Sequence, residues 1–194
     1  MKIQLSVIEI TVGLAFAFGC GSQPELAGET SNVAAAGVTF TSSPVVGAQS
    51  NRCVDINASS TADGTQAQLW DCNGGINQTW TYNASSQLVV YGNKCLQALG
   101  GGTSNGTPVV IGGCAAQDFQ QWSVNPDRTI TNLRSGLCLD AEGARTPNGT
   151  KIILWPCGTG DNQKWTCPPA ALPARGPATS MPPAALRVSP HTAR

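Results

Sequence analysis

Charge is scarce in this chain. Only 11% of its 194 residues are Asp, Glu, Lys or Arg, and the formal net charge is zero. Proteins that grip nucleic acid or an anionic membrane surface do so with a basic patch, and nothing in the composition supplies one. Histidine is scarcer still: the single residue, His191, lies near the C-terminus. Triads built on His and metal sites containing His are therefore without support, and no cofactor is expected. Aromatic residues make up only 6%, although five of them are Trp. Beyond the N-terminus no apolar stripe recurs at helical spacing. What is abundant is glycine, 22 residues, set among Asn, Ser and Thr between short apolar segments. That pattern predicts an all-β protein with many turns.

The two ends differ from the middle. Lys2 precedes the apolar run "VIEITVGLAFAFG", which stops at Cys20. A charged start, a short apolar stretch and then small residues form a secretory signal, expected over residues 1–19. Cys20 after Ala17-Phe18-Gly19 matches a bacterial lipoprotein box, in which the Cys is lipidated. The other reading is an ordinary signal cut at Gly19 or near "VAAAG". Either way the protein is expected to be secreted or lipid-anchored at a bacterial cell envelope, with Cys20 the sole membrane attachment. Residues 20–42 have the composition of a flexible linker. Residues 168–194 hold seven prolines and three Arg with no acid, and are expected to form a disordered tail.

Between the ends the chain repeats itself. "INQTW" ends at Trp80, "FQQW" at Trp122 and "DNQKW" at Trp165, at intervals of 42 and 43 residues. Such a period marks a repeat architecture. Six of the eight cysteines keep the same period as Cys53 and Cys72, Cys95 and Cys114, Cys138 and Cys157, each pair 19 residues apart. Ten residues after the first Cys of each pair comes a turn dipeptide: Asp63-Gly64, Asn105-Gly106 and Asn148-Gly149. The common spacing, tied to one turn position, favours a disulfide inside each repeat, leaving Cys167 free or joined to Cys20. Each bridge would stabilise the fold by about 2–4 kcal/mol. The repeats span about residues 44–84, 85–126 and 127–167, within a folded domain expected over residues 43–167.

In the third strand of each repeat, alternation separates two faces. Ala67 and Leu69, Val109 and Ile111, and Ile152 and Leu154 are apolar in all copies and face the core. Trp70 and Trp155 lie on the opposite face, where the second copy has Gly112. In the second strand, Val54, Leu96 and Leu139 face inward, whereas Asp55, Gln97 and Asp140 point outward. If each disulfide lies directly across an antiparallel pair, Asp55 falls opposite Trp70, Asp140 opposite Trp155 and Gln97 opposite Gly112. An acid beside an exposed indole suits a pyranose: its C–H face stacks on the ring, and its hydroxyls donate to the carboxylate.

The segments "CVDI…DGTQAQLWDCNGGINQTW", "CLQA…NGTPVVIGGC…FQQW" and "CLDA…NGTKIILWPCGTGDNQKW" resemble the ricin-type lectin family over about residues 44–166. The resemblance implies a β-trefoil, a six-stranded barrel capped by three hairpins. It implies a carbohydrate partner, with ligands among galactosides, xylose and plant polysaccharides. Asp55 and Asp140 match the family's hydroxyl acceptors, Trp70 and Trp155 its stacking platforms, and Asn77 and Asn162 its polar helpers. Gln68 matches a further polar position, and Gln78 and Gln163 sit beside the pocket. The middle repeat lacks the acid, the platform and the Asn. Trp80, Trp122 and Trp165 are read as core, with the Gln amides holding nearby backbone.

A monomeric, non-catalytic binding protein is therefore expected. The alternatives are a binding module whose glycosidase partner lies elsewhere, and a trefoil inhibitor of other proteins. An inhibitor would need a long protruding loop, which the sequence does not offer. A glycosidase would need two acids flanking one bond. Glu142, on the strand face of Asp140, has no counterpart in the first repeat.

Overall fold

The turn dipeptides cut the chain into short strands, and a computed structural model shows how they assemble; it describes residues 39–167. The signal, most of the linker, Cys20 and the proline-rich tail lie outside the described residues. Thirteen strands are present with six single 3-10 turns and, among the described residues, no α-helix. The first copy contains β1 (Phe40–Ser43), β2 (Val46–Gly47), β3 (Cys53–Ile56), β4 (Ala67–Trp70) and β5 (Trp80–Tyr82). The second contains β6 (Leu88–Val90), β7 (Lys94–Ala98), β8 (Val109–Gly113) and β9 (Trp122–Val124). The third contains β10 (Ile130–Asn132), β11 (Cys138–Ala141), β12 (Ile152–Trp155) and β13 (Trp165–Thr166).

The last strand of each copy pairs antiparallel with the first strand of the next: β5 with β6, β9 with β10, and β13 back to β2. That return closes the ring. The middle strands of each copy form the hairpins β3–β4, β7–β8 and β11–β12. The fold is a β-trefoil, with one disulfide per copy: Cys53–Cys72, Cys95–Cys114 and Cys138–Cys157. Cys167 is disulfide-bonded too.

The core has the threefold pattern of the sequence. Trp80, Trp122 and Trp165 are fully buried, packed among Val54, Leu69, Leu96, Ile111, Leu139 and Leu154. Each indole N–H donates to the backbone of the second strand in its own copy: to Val54 O (2.9 Å), Leu96 O (3.0 Å) and Leu139 O (3.0 Å). A buried Trp whose one donor is satisfied contributes its whole ring area to the core. On the pseudo-threefold axis a single side chain joins the copies. Gln66 Nε2 lies within hydrogen-bonding distance of Ala67 O (2.8 Å), Val109 O (2.9 Å) and Ile152 O (2.8 Å), the opening residues of β4, β8 and β12. The sequence shows no such link, because Pro108 and Lys151 fill the matching positions. Replacing Gln66 by Leu should lower stability by about 1–3 kcal/mol, since these carbonyls lose a donor no apolar side chain can replace. A urea midpoint shifted by less than the error of the measurement would refute this.

Two expectations need correction. The ladder pairs Cys53 with Trp70, Asp55 with Gln68, Cys138 with Trp155 and Asp140 with Ile153. In the second copy Cys95 faces Gly112 and Gln97 faces Val110. All three hairpins are thus two residues out of the register expected from the disulfides. The physical cause is that the second Cys of each pair lies beyond the end of its strand, so the bridge does not join cross-strand partners. A shift of two preserves parity, and the face assignments survive. The second correction concerns the acids. Asp55 and Asp140 leave the core face, yet each is only 3% exposed. Amide side chains close over them. Those amides come from the 3-10 turns Ile76–Gln78 and Asp161–Gln163, so Gln78 and Gln163 precede the Trp strand and do not share it.

Candidate functional site

In the first copy the Asp55 carboxylate sits at the centre of an amide cluster. Gln68 Nε2 donates to Oδ1 (3.1 Å), while Asn77 Nδ2 (2.6 Å) and Gln78 Nε2 (2.8 Å) donate to Oδ2. Gln78 also donates to Asp71 O (3.1 Å) and accepts from Asn73 N (2.9 Å). It thereby fixes the loop after Trp70 as well as the acid. Trp70 lies one pleat along from Gln68 on the same face, diagonal to Asp55, and is 41% exposed. Diagonal neighbours in a ladder stand about 7–8 Å apart, within reach of one ring-sized ligand.

The third copy repeats the plan with one difference. Asn162 Nδ2 (2.8 Å) and Gln163 Nε2 (2.6 Å) both donate to Asp140 Oδ2. Ile153 stands where Gln68 was, so among the described residues no side chain donates to Oδ1. Trp155 is 45% exposed. Asp140, Ile153, Trp155, Asn162 and Glu142 line a cavity of 610 Å³. Its far wall belongs to another copy: Gly106, in the Asn105-Gly106 turn, lies against the Trp155 ring. Gly106 N donates to Leu154 O (2.8 Å), which locks the turn in place. The first copy is flanked in the same way by the third copy's turn. There Gly149 N donates to Leu69 O (2.8 Å), and Asn148 Nδ2 donates to Asp71 Oδ2 (2.8 Å). Arg52 reinforces this corner through Asp71 Oδ1 (2.9 Å) and Asn148 Oδ1 (2.6 Å). Sequence reasoning read these dipeptides as turns and missed their second role as walls between copies.

The second copy is filled in. Gln120 Nε2 donates to Gln97 Oε1 (2.6 Å), so an amide oxygen takes the place of the carboxylate. A Cβ on Gly112 would come within 2.6 Å of that same Gln97 oxygen, leaving no room for an aromatic ring at this position. Phe119, where the other copies have Asn, carries the Arg134 guanidinium 5.7 Å above its ring. This copy thus presents neither a carboxylate nor room for a platform ring at the positions that carry them in the other two.

One signal in the sequence went unread. Gly75 and Gly160 each stand two residues before the Asn of a site, and the second copy has Gln117 there. A Cβ at either glycine would collide with the Oδ1 of Asn77 or Asn162. The missing side chain lets each Asn turn its amide toward the acid. Gly-x-Asn-Gln-x-Trp is therefore a sharper mark of a complete site than Gln-x-Trp.

Burial raises the Asp140 carboxyl above its usual value, while the amides of Gln163 and Asn162 pull it down by less. The folded state thus holds this proton more tightly than the unfolded chain does. The linked stability is fully present below the ordinary aspartate range and is lost as pH rises through the raised value. A ligand hydroxyl donating to Oδ1 would favour the ionised form.

The model of the ricin-type beta-trefoil lectin domain matches residues 41–165. Among solved structures, the designed threefold-symmetric protein ThreeFoil is 29% identical, with a TM-score of 0.60 over 64% of this chain and 96% of its own. The agglutinin from Abrus precatorius is 25% identical, with a TM-score of 0.62 over 71% of this chain and 51% of its own. A non-toxic homologue of type II RIPs from Momordica charantia (bitter gourd), solved in complex with α-methyl-D-galactoside, is 28% identical. Its TM-score is 0.58 over 66% of this chain and 47% of its own. The chain spans about half the length of these last two proteins. With a family model covering most of its length and its fold shared with these structures, the chain belongs to the ricin-type β-trefoil lectin family.

Proposed function

We propose that the protein binds carbohydrate, without catalysis, at two sites on the first and third copies. The observation that carries this reading is the joint presence of acid, Asn and exposed Trp twice, and their joint absence from the copy between. Asp55 and Asp140 accept from sugar hydroxyls, and Trp70 and Trp155 stack on the apolar ring face. Asn77, Gln78, Asn162 and Gln163 hold the acids, and Gln68 adds an amide to the first site. The complex of the bitter gourd homologue with α-methyl-D-galactoside favours galactosides as first probes, followed by xylose-type glycans. Two sites on one chain raise avidity for a polymeric glycan without a new contact. Secretion directed by the N-terminal signal belongs to the same proposal. Because Cys167 is disulfide-bonded and Cys20 is the one cysteine outside the other three bridges, a lipid on Cys20 is not part of it.

Titration of residues 1–194 with methyl galactoside and xylan oligosaccharides, followed through the indole N–H resonances of Trp70 and Trp155, tests it. Both should shift, and none of the three core indoles should saturate as a third site. Three equivalent sites, or an absence of binding to any glycan on an array, would refute the reading. Third-site affinity should fall as pH drops through the raised Asp140 value, and the Trp155 resonance measured at pH 7 and pH 4 should show it. A Trp155 response unchanged between them would exclude Asp140 as the hydroxyl acceptor.

A further inference from the structure

A second cavity, of 480 Å³, lies beside the first site on the outer side of β5 and β6. Ile76, Thr79, Thr81, Asn83, Val89 and Tyr91 line it. Among the described residues the Tyr91 phenol is the only titratable group on its walls, which suits a neutral ligand. Hydroxyl and amide groups alternate there with aliphatic ones, the mixture that a pyranose with polar edges and C–H faces requires. Ile76 is 73% exposed, a large aliphatic side chain left in water next to Asn77, which holds Asp55.

Tyr91 packs against the edge of the core and bears two costs there. Its φ of +55° is a left-handed conformation, uncommon for a bulky aromatic residue. The turn that contains it is one residue shorter than its two counterparts: Val89 pairs with Cys95, against Val46 with Cys53 and Thr131 with Cys138. Its hydroxyl is buried with no hydrogen-bond partner, the one such side-chain atom among the described residues. The phenol's proton is held more tightly because of that burial and, to a lesser degree, because of the Asp55 charge. Tyr91 lines the groove together with Ile76, the neighbour of Asn77 that holds Asp55. The other copies are not built this way. The residue just after the first strand is Ala48 in the first copy and Leu133 in the third, and Asp118 and Asp161 replace Ile76.

We propose that this groove is a second sugar subsite, so that the first site reads two linked sugar residues and the third site reads one. The proposal rests on the carbohydrate-binding reading above. Its occupant is the neighbouring residue of the glycan already held at Asp55 and Trp70, which passes over Ile76. The test uses the full chain in two backgrounds: Trp155→Ala, which leaves the first site, and Trp70→Ala, which leaves the third. Methyl β-galactoside and methyl β-xyloside are titrated against galactobiose and xylobiose. In the Trp155→Ala background a disaccharide should bind on the order of tenfold more tightly than its monosaccharide. In the Trp70→Ala background it should not. Ile76→Ser, at an exposed position, and Thr81→Lys, which fills the groove, should each erase the gain and leave monosaccharide binding unchanged. A gain that is equal at both sites, one that survives both variants, or monosaccharide binding with no gain from either disaccharide overturns the subsite alone. Failure of every sugar, monosaccharides included, overturns the carbohydrate reading and the subsite with it.

Discussion

Truncating Trp80 to Ala should cost about 3–5 kcal/mol of folding stability, whereas truncating Trp70 should leave the thermal midpoint nearly unchanged and abolish binding at the first site. The two residues are ten apart in one copy and are the same chemical type. Their surroundings separate them. Trp80 is fully buried in a cluster to which all three copies contribute, and donates its N–H to Val54 O. Its removal opens a large cavity and orphans a buried carbonyl. Trp70 is 41% exposed at the end of β4, on the face away from Leu69. Stacking on an aromatic ring contributes roughly 1 kcal/mol or more beyond burial. The Trp70 ring and the Asp55 carboxylate are the two principal contacts proposed for a sugar at this site, so the loss of either should remove measurable binding. Paired melts and sugar titrations of the two variants check both halves. Equal destabilisation by the two would mean that the Trp70 face is part of the core, and the binding assignment would fall with it.

Asp55→Ala should do two things at once: weaken sugar binding at the first site on the order of 100-fold and destabilise the fold by about 1–3 kcal/mol. Three amide N–H groups converge on this carboxylate, which is only 3% exposed. Without it they become buried donors without an acceptor. The conservative Asp55→Asn should fold better than the Ala variant yet still fail to bind. The second copy already contains an amide in this role, with Gln97 accepting from Gln120, and it has no open site. A reading that placed the acid in solvent would predict no loss of stability from either change. Chemical denaturation of Asp55→Ala, Asp55→Asn and the parent protein separates the two views. A parent-like midpoint for Asp55→Ala would show that the amide cluster is incidental.

Much of the molecule can be read from local pattern. The period of 42 to 43 residues, the three 19-residue cysteine spacings and the turn dipeptides are properties of neighbouring residues, and they fix the number of copies and the order of strands. Side-chain parity along β4, β8 and β12 separates core from site, because alternation depends only on the strand being extended. That is why Ala67, Leu69, Ile152 and Leu154 turned out buried and Trp70 and Trp155 exposed, even though the assumed register was wrong by two.

What the tertiary structure alone decided involves groups far apart in the chain. The register depends on where a strand ends, and Cys72 and Cys157 lie just past that point. The burial of Asp55 and Asp140 depends on 3-10 turns more than twenty residues downstream folding back over them. The wall that Gly106 makes for Trp155, the Asn148 contact beside Trp70 and the Gln66 tie on the axis all join different copies. The groove at Tyr91 is lined jointly by a turn of the second copy that is a residue shorter than its counterparts and by the turn of the first copy that carries Ile76. A repeat period specifies how alike the copies are. The function proposed here depends on how they differ, and those differences act through contacts between copies, which only the closed ring brings within bonding distance.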